Sequence, residues 1–320
     1  MMLKTENLSQ ANSALLSWLE QIPIQEIQSN DFMENAEQIV FSKDTGGLPR
    51  IQVRTPWSDA EIYLQGAHVT HFQRKGGKPV LFMSDSSRFE AGQPIRGGVP
   101  VIFPWFGARE GKPMHGFARN HVWELKQISG NAEHAITLEF DLSLPPEAAG
   151  FPKFSARYFV TVGESLTLQL KIANESNENF TLEDCLHTYF AVGDISAVTV
   201  SGLKGVEYLD KVEGFARKNE TAEQISFSSE TDRVYLSTRA TTEIHDAKLR
   251  RRIIIEKEGS TSTVVWNPWI AKAKAMADYG DDEYLRMVCV ESGNVSENKL
   301  VLAPARSSAL TVKLSTAELD

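Results

Sequence analysis

The chain has 320 residues, of which 42% are hydrophobic and 23% are charged, and its formal net charge at pH 7 is −9. This composition is typical of a globular protein with enough apolar material for a core. The negative charge excludes nucleic acid and anionic membrane surfaces as main partners, and no run approaches the roughly 20 apolar residues that span a bilayer. We therefore expect a small-molecule ligand, with no nucleic-acid and no membrane partner.

Residues 1–36 form an N-terminal segment that differs in pattern from the rest of the chain. Leu15, Leu16 and Leu19 follow a near-helical spacing, which predicts a helix over Ser9–Ile27. We interpret the segment as a helical extension packed against the main body, with a docking helix for a partner as the alternative. The opening MMLKTENLSQ is polar and lacks the apolar region of a signal peptide, so the expected compartment is the cytoplasm.

Short strand candidates dominate the chain after this segment. Gly, Pro, Ser and Asp separate them, which is the pattern of a large antiparallel sandwich or barrel. The candidates are Arg50–Arg54, Ala60–Leu64, Val69–Gln73, Val80–Met83, Ala135–Leu142, Arg157–Val162, Ser165–Ala173, Phe180–Val192, Ala197–Ser201, Gln224–Phe227, Arg233–Ser237, Thr242–Asp246, Arg251–Lys257, Ser262–Trp266, Leu285–Glu291 and Ala309–Leu314. A brief helical turn is predicted at Lys272–Met276. Because no repeat or low-complexity linker divides the chain, residues 37–320 are predicted to form a single all-β domain.

The stretch Ile95–Trp123 interrupts this strand pattern. Two prolines break its apolar run, and each lacks the N–H that a central strand donates, so the run predicts an irregular wall. Several glycines place Arg96, His115 and Arg119 on loops between ordered segments. Two arginines beside an apolar wall favour an anionic ligand, since the guanidinium fork matches phosphate or carboxylate oxygens. The alternative is a proline-rich loop with solvated charges.

Five ordered blocks carry a resemblance to a known family. They are IRGGVPVIFPWFG with HGFARNHVW, LEDCLHTYFAVGDI, SETD, VVWNPWIAKAKAMADYG and VCVESGNV. Together they resemble the hexose-6-phosphate mutarotases, or glucose-6-phosphate 1-epimerases, a branch of the aldose 1-epimerase family. The resemblance runs from about residue 37 to near the C-terminus. It implies a β-supersandwich and a cofactor-independent isomerase that interconverts the α and β anomers of aldohexose 6-phosphates, above all glucose 6-phosphate.

The resemblance assigns the acid and base of this reaction to His187 and Glu291. Taken alone, a His in an apolar strand favours a satisfied core residue, and a Glu at a strand end favours a surface residue. Opening a pyranose ring, however, needs a base for the anomeric hydroxyl and an acid for the ring oxygen. Histidine exchanges protons near neutral pH, and burial can tune a glutamate for the role of base.

The resemblance also implies the substrate contacts. Arg96 and Arg119 match substrate-binding arginines, and at least one of them is expected to bind the phosphate. Asp232 matches a further contact to a sugar hydroxyl, and His115 is expected to touch the sugar. Met114 stands where a relative carries a ligand-contacting glutamine, so one expected contact is missing from this chain.

Three tryptophans are candidate platforms for the apolar face of a pyranose. Trp269 is included with the substrate-binding residues, beside Trp105 and Trp266, although core packing is the alternative for each. The two cysteines, Cys185 and Cys289, are expected to be buried free thiols.

Other classes of protein remain as alternatives. A metal enzyme would draw on His68, His71, His115 and His187, but no Cys or His cluster has zinc spacing, so no metal is expected. A glycosidase could use Asp232 and Glu291 as its two carboxylates. The principal alternative is a non-catalytic sugar-phosphate binding protein on the same scaffold. The expected assembly is a monomer.

Overall fold

The computed structural model describes residues 2–3 and 38–319 of the chain. The predicted helix Ser9–Ile27 lies outside these residues. So does the predicted boundary after residue 36, and the division into an extension and a main domain therefore stays a prediction. Within the described residues, no helix is long and apolar enough to cross a bilayer.

Strands account for most of the regular structure, as the succession of short β candidates predicts. The first half of the chain forms β1 Met2–Leu3, β2 Gln38–Lys43, β3 Pro49–Arg54, β4 Ser58–Tyr63, β5 His68–Arg74, β6 Val101–Ile102, β7 Trp123–Gly130, β8 Ile136–Leu142, β9 Phe154–Val162 and β10 Leu166–Asn174. The second half forms β11 Phe180–Leu182, β12 Asp184–Leu186, β13 Tyr189–Ala191, β14 Val198–Ser201, β15 Glu207–Asp210, β16 Ala216–Asn219, β17 Gln224–Ser226, β18 Thr231–Tyr235, β19 Thr242–Asp246, β20 Arg251–Glu258, β21 Ser262–Asn267, β22 Met287–Asn294, β23 Leu300–Leu302 and β24 Ser307–Glu318.

Helices are short in the described part of the chain. The α-helix α1 spans Trp269–Ala275 and begins three residues before the predicted turn Lys272–Met276. Short 3-10 helices lie at Ala118–Asn120, Pro146–Gly150, Ile195–Ala197, Glu283–Arg286 and Ser296–Asn298.

Two large antiparallel sheets carry the architecture. The nine-stranded sheet has the order β17-β14-β19-β20-β24-β10-β9-β8-β7, and the eight-stranded sheet has the order β16-β15-β18-β21-β22-β12-β6, with β13 also paired to β22. A five-stranded sheet in the order β1 to β5 and the pair β11-β23 complete the described structure. This architecture confirms the predicted all-β class.

Burial distinguishes the strands that carry the core from the strand that carries the site. In β10, Leu168 and Leu170 are buried and alternate with partly or fully exposed neighbours, which is the pattern of a strand with one solvent-exposed face. Every residue of β22 is buried, so both of its faces are covered. A polar side chain on β22 is therefore held away from bulk water.

Two strand predictions are wrong in detail. The predicted strand Phe180–Val192 is broken into β11, β12 and β13. The predicted strand Val80–Met83 forms isolated bridges only, because Leu81 pairs with Phe190 while Met83 pairs with Gly97. Its backbone thus bonds to two different segments rather than to one neighbouring strand.

Candidate active site

Strand register brings His187 and Glu291 face to face. β12 pairs antiparallel to β22 with Leu186 opposite Ser292, and β13 continues on β22 in the same register. The position between β12 and β13 that lies opposite Glu291 is therefore His187. Directly opposed residues of antiparallel strands have side chains within contact range. His187 Nε2 accordingly lies 3.2 Å from Glu291 Oε1.

A local turn of the backbone separates β12 from β13. The backbone N–H of His187 donates to the carbonyl of Pro100 at 3.0 Å, which continues the register of β12 on β6. Thr188 donates its N–H to Leu186, two residues back, at 2.9 Å. His187 thus sits at a local break in the sheet, where its side chain leaves the regular packing.

The pair is buried in an aromatic and sulfur-lined setting. The side chains of His187 and Glu291 are 9% and 1% exposed. Cys185 donates its thiol to the second oxygen of Glu291, with a sulfur-to-oxygen distance of 3.5 Å. The imidazole stacks on the ring of Tyr189 at 4.9 Å between centroids and meets the edge of Trp266 at 6.0 Å.

The same sheet face carries a second row of side chains beside the pair. Asp232 lies opposite Trp266, Trp266 opposite Cys289, and Cys289 opposite Tyr189. Since side chains alternate between faces along a strand, this row shares the face of Glu291. Asp232 is thereby brought to the pair from a distant part of the sequence.

Arg96 is fixed next to the pair through two partners. Its Nη2 donates to a carboxylate oxygen of Asp278 at 3.0 Å, and its Nε donates to the same group at 3.2 Å. Its Nη1 donates to the hydroxyl of Tyr189 at 3.0 Å. Because Tyr189 stacks on His187, the guanidinium is held at a defined position relative to the imidazole.

Arg119 is a buried cation with few partners. Its Nη2 donates to the carbonyl of Met114 at 2.8 Å, and within residues 38–319 its Nε has no hydrogen-bond partner. Burial and the charge of Arg96 lower its pKa to about 10. The side chain of Met114 is 49% exposed, so this residue meets Arg119 through its backbone.

His115 is a further ring neighbour of His187. Its ring centroid is 5.5 Å from that of His187. Its Nδ1 accepts the backbone N–H of Gly107 at 3.1 Å, so the proton of the neutral ring is on Nε2, which is a donor. Burial, reinforced by Arg119, lowers the pKa of His115 well below its ordinary value.

Asp232 is balanced by two lysines. Lys211 Nζ lies 3.0 Å and Lys272 Nζ 3.7 Å from the same oxygen of Asp232. Lys211 also lies over the ring of Phe106, at 5.5 Å from its centroid. The carboxyl group is therefore anchored through one oxygen, which leaves the other oxygen to accept a hydrogen bond.

The predicted tryptophans have different surroundings. Trp269 begins α1 and packs on the ring of Tyr284 at 5.3 Å. Trp105 is 1% exposed and stacks on Phe151, as expected for a core residue. Trp266 contacts His187, so its ring is the one that the structure brings to the pair.

Burial sets the protonation of the pair. It lowers the pKa of His187 well below its usual value, and the charges of Arg119 and Arg96 act in the same direction. Burial also raises the pKa of Glu291 well above the usual range of a carboxyl, and the charge of Asp232 adds to this. As the side chains stand, the neutral forms are favoured, and the single proton of the pair rests on Glu291.

Comparison with known proteins agrees with this geometry. The profile of the family described as aldose 1-epimerase matches residues 49–315. The chain belongs to the aldose 1-epimerase family. This membership confirms the resemblance found in the sequence and the predicted class of enzyme, an isomerase that acts as an epimerase.

Individual relatives cover nearly the whole of this epimerase. A candidate glucose-6-phosphate 1-epimerase of Cenchrus ciliaris is 36% identical over 284 residues, which cover 85% of this chain and 86% of the relative. A protein of the same description from Escherichia coli K12 is 37% identical over 283 residues, covering 87% and 94%. The crystal structure of a candidate mutarotase from Salmonella typhimurium has a TM-score of 0.81 at 32% identity, covering 95% and 99%. The likeness confirms the expected β-supersandwich.

Sequence reasoning on the epimerase missed several residues at the site. Tyr189, Cys185 and Cys289 stand two residues from His187 or Glu291, and strand alternation could have placed them on the same face. Asp278 carries no such signal, because it reaches Arg96 from a turn after α1.

A buried histidine, His68, bonds to the loop that carries Arg96. His68 Nε2 donates to the carbonyl of Gly97 at 2.8 Å, and burial lowers the pKa of His68 to about 4. The unfolded chain therefore binds one more proton than the folded chain between the ordinary value of 6.5 and about 4. Stability is full above this window and falls as the pH drops through it, by about 1.4 kcal/mol per pH unit.

His68→Gln is expected to remove this contribution while keeping an N–H donor for Gly97. The free energy of unfolding is measured by urea denaturation across the window. Its slope against pH should be smaller than that of the wild type by the contribution of about one proton. His121→Gln is the matched control, since His121 is half-buried and 3.6 Å from Glu147. If the pH dependence of the free energy of unfolding is unchanged in His68→Gln, a group other than His68 causes the loss of stability in acid.

Proposed function

We propose that this epimerase interconverts the α and β anomers of aldohexose 6-phosphates, with glucose 6-phosphate as its substrate. The observation that carries the proposal is the buried contact of 3.2 Å between His187 and Glu291. The anomeric hydroxyl and the ring oxygen of a pyranose are bonded to the same carbon. An acid and a base that serve both oxygens at once must therefore be neighbours, as these two side chains are.

The reaction needs one proton on the pair and returns it unchanged. Glu291 as carboxylate takes the proton of the anomeric hydroxyl, the bond between C1 and the ring oxygen breaks, and His187 protonates that oxygen. Rotation about C1–C2 in the open aldehyde presents the other face of the carbonyl. Reclosure returns a proton from Glu291 to the carbonyl oxygen and a proton from the C5 hydroxyl to His187. No cofactor takes part in this sequence.

The arginines support a phosphorylated substrate. Arg119 is buried, and it forms no ion pair with a carboxylate within residues 38–319, so an anion would compensate its charge. Arg96 is held rigidly by Asp278 and Tyr189, so binding an anion there costs little side-chain entropy. Asp232 and the Nε2–H of His115 are then available for sugar hydroxyls.

A bound phosphate would also prepare the pair for catalysis. Arg96 and Arg119 are among the charges that lower the pKa of His187. A dianion beside them offsets their charge, which raises the pKa of His187 and favours the protonated imidazole that acts as the acid. Unphosphorylated glucose lacks this effect and should be the poorer substrate.

The relatives support the same substrate. The proteins of Cenchrus ciliaris and Escherichia coli are both described as candidate glucose-6-phosphate 1-epimerases. We further propose that the enzyme acts in the cytoplasm as a monomer.

Two-dimensional exchange NMR on equilibrated glucose 6-phosphate tests the proposal, with glucose at the same concentration as the control. We expect the enzyme to accelerate exchange between the anomeric signals of the phosphate ester more strongly than those of glucose. Faster exchange for glucose alone would reassign the enzyme to unphosphorylated aldoses. Binding of the ester without acceleration would make the chain a sugar-phosphate binding protein.

Tyr189→Phe is expected to raise KM for the phosphorylated sugar by roughly three- to tenfold, because Arg96 loses a hydrogen bond worth about 1 kcal/mol. kcat should change little, since a phenyl ring still stacks on His187. Tyr158→Phe is the control, because the Tyr158 hydroxyl is buried and has no partner among the described residues. Anomer exchange measured over a range of substrate concentrations separates the two parameters. A fall in kcat alone would contradict the role given to Arg96.

A further inference from the structure

We propose that His187, Cys289 and Glu291 form a three-ligand site for Zn²⁺, and that zinc bound there inhibits the epimerase. The sequence alone gave no reason to expect such a site, because these residues are not spaced as a zinc motif. The fold brings them together. Their ligand atoms, one from each residue, all lie within 4.8 Å of one another, and all three residues are buried.

Strand geometry makes the arrangement a consequence of the fold. Cys289 and Glu291 are two residues apart on β22 and so project from the same face. His187 is opposite Glu291 in the register described above. Cys289 and Glu291 therefore project from one strand, and His187 meets them from the junction between β12 and β13. Strands hold ligands more rigidly than loops do, which applies to the two ligands on β22.

The separations suit zinc. Zinc binds nitrogen, oxygen and sulfur at about 2.0–2.3 Å in tetrahedral geometry, so its ligand atoms are about 3.3–3.8 Å from one another. The His187 and Glu291 atoms are 3.2 Å apart and the whole set spans at most 4.8 Å. The widest separation must shorten by about 1.0–1.5 Å, so shifts of this size shared between the ligand side chains would give all three bonds.

The ligand set also selects the metal. One imidazole, one thiolate and one carboxylate favour zinc over magnesium or calcium, which prefer oxygen ligands. Three protein ligands leave a fourth position for water, as in open zinc sites. When zinc binds, the thiol proton of Cys289 and the carboxyl proton of Glu291 are both released to solvent.

Inhibition follows from the identity of two of the ligands. His187 and Glu291 are the proposed acid and base, and coordination occupies the nitrogen lone pair and the carboxylate that exchange protons with the sugar. Inhibition therefore rests on the proposed function, whereas metal binding does not. Cys289 has no part in the proton transfers, so its substitution separates metal binding from catalysis.

Cobalt spectroscopy tests the site independently of activity. Co²⁺ replaces Zn²⁺ in such sites, and a cobalt–thiolate bond gives a charge-transfer absorption in the near ultraviolet. The chain has two cysteines, which allows a matched comparison. We expect the absorption in the wild type and in Cys185→Ser, and its loss in Cys289→Ser and in Cys289→Ala. Absorption that survives without Cys289, or that depends on Cys185, would overturn the site.

Anomer exchange in the presence of Zn²⁺ tests the consequence. We expect inhibition of the wild type that a chelator reverses, and retained exchange in Cys289→Ser. The zinc concentration for half-inhibition should rise by more than about tenfold in Cys289→Ser, since loss of even an outer-shell partner commonly costs that much affinity. Equal inhibition of both proteins would overturn the proposal. If the chain accelerates no anomer exchange, the proposed function fails, and the cobalt absorption still decides whether the site exists.

Discussion

Glu291→Gln is expected to lower kcat/KM for anomer exchange of glucose 6-phosphate by about 10²–10⁴-fold. Glutamine has the shape of glutamate but cannot take the proton of the anomeric hydroxyl at any accessible pH. Its side chain still accepts the thiol of Cys185 and still lies beside His187, so the surrounding structure should persist. The binding of the sugar phosphate should change little, because the proposed phosphate contacts are arginines on other segments. Exchange NMR gives the rate, and calorimetric titration with glucose 6-phosphate gives the affinity.

Glu220→Gln is the matched control for this variant. Glu220 is a buried carboxylate whose Oε2 accepts from Arg233 at 3.0 Å and from the Tyr235 hydroxyl at 2.8 Å. It therefore tests what the replacement of a buried carboxyl group by an amide does outside the proposed site. The control should keep its exchange rate. Retained exchange in Glu291→Gln would remove this residue from the mechanism.

His187→Ala should lower the rate by a similar factor, and the double variant should be little slower than the slower single variant. The two residues are proposed to act as one proton-transfer unit, and the effects of residues that act as a unit are not additive. Independent effects that multiply in the double variant would indicate two separate roles. The comparison thus tests the pairing itself, which the 3.2 Å contact supports.

The sequence was sufficient for the fold class and for naming His187 and Glu291 as candidates, but their relation depended on register. Apolar alternation and turn residues indicate that strands exist, since they reflect local preferences of the chain. Which strands pair, and with what offset, is decided by contacts between residues that are about a hundred positions apart. The opposition of His187 and Glu291 across β12, β13 and β22 is such a contact.

The break at His187 illustrates a second limit of the sequence. Phe180–Val192 has the composition of one long strand, yet Thr188 donates its N–H back to the carbonyl of Leu186 and interrupts the ladder on β22. Local β-propensity does not indicate where such a turn falls. Asp278 was missed for a related reason, because an acidic residue in a turn is usually solvated and only the fold brings it to Arg96.

Gly116→Ala is expected to lower the free energy of unfolding by at least about 3 kcal/mol, the sum of backbone strain and overpacking. Gly116 has a φ of +74°, in the left-handed region, and a Cβ there would lie 2.0 Å from the carbonyl oxygen of Phe103. That oxygen cannot simply move, because it accepts the N–H groups of Phe117 and Ala118 at 3.1 and 3.2 Å. Gly111→Ala is the matched control, since Gly111 has a φ of +63° and its added Cβ would meet no atom within 4 Å.

The control should lose only about 1 kcal/mol, which is the ordinary penalty of a left-handed alanine. The difference between the two variants, measured by urea denaturation, therefore isolates the clash between the added methyl group and Phe103. Because Gly116 follows His115 directly, the shift that relieves the clash would also displace this histidine from His187. Gly116→Ala should thus lose anomer exchange even under conditions where it remains folded, whereas Gly111→Ala should keep it. Equal losses of stability in both variants would show that the contact between the added Cβ and the carbonyl of Phe103 does not affect stability.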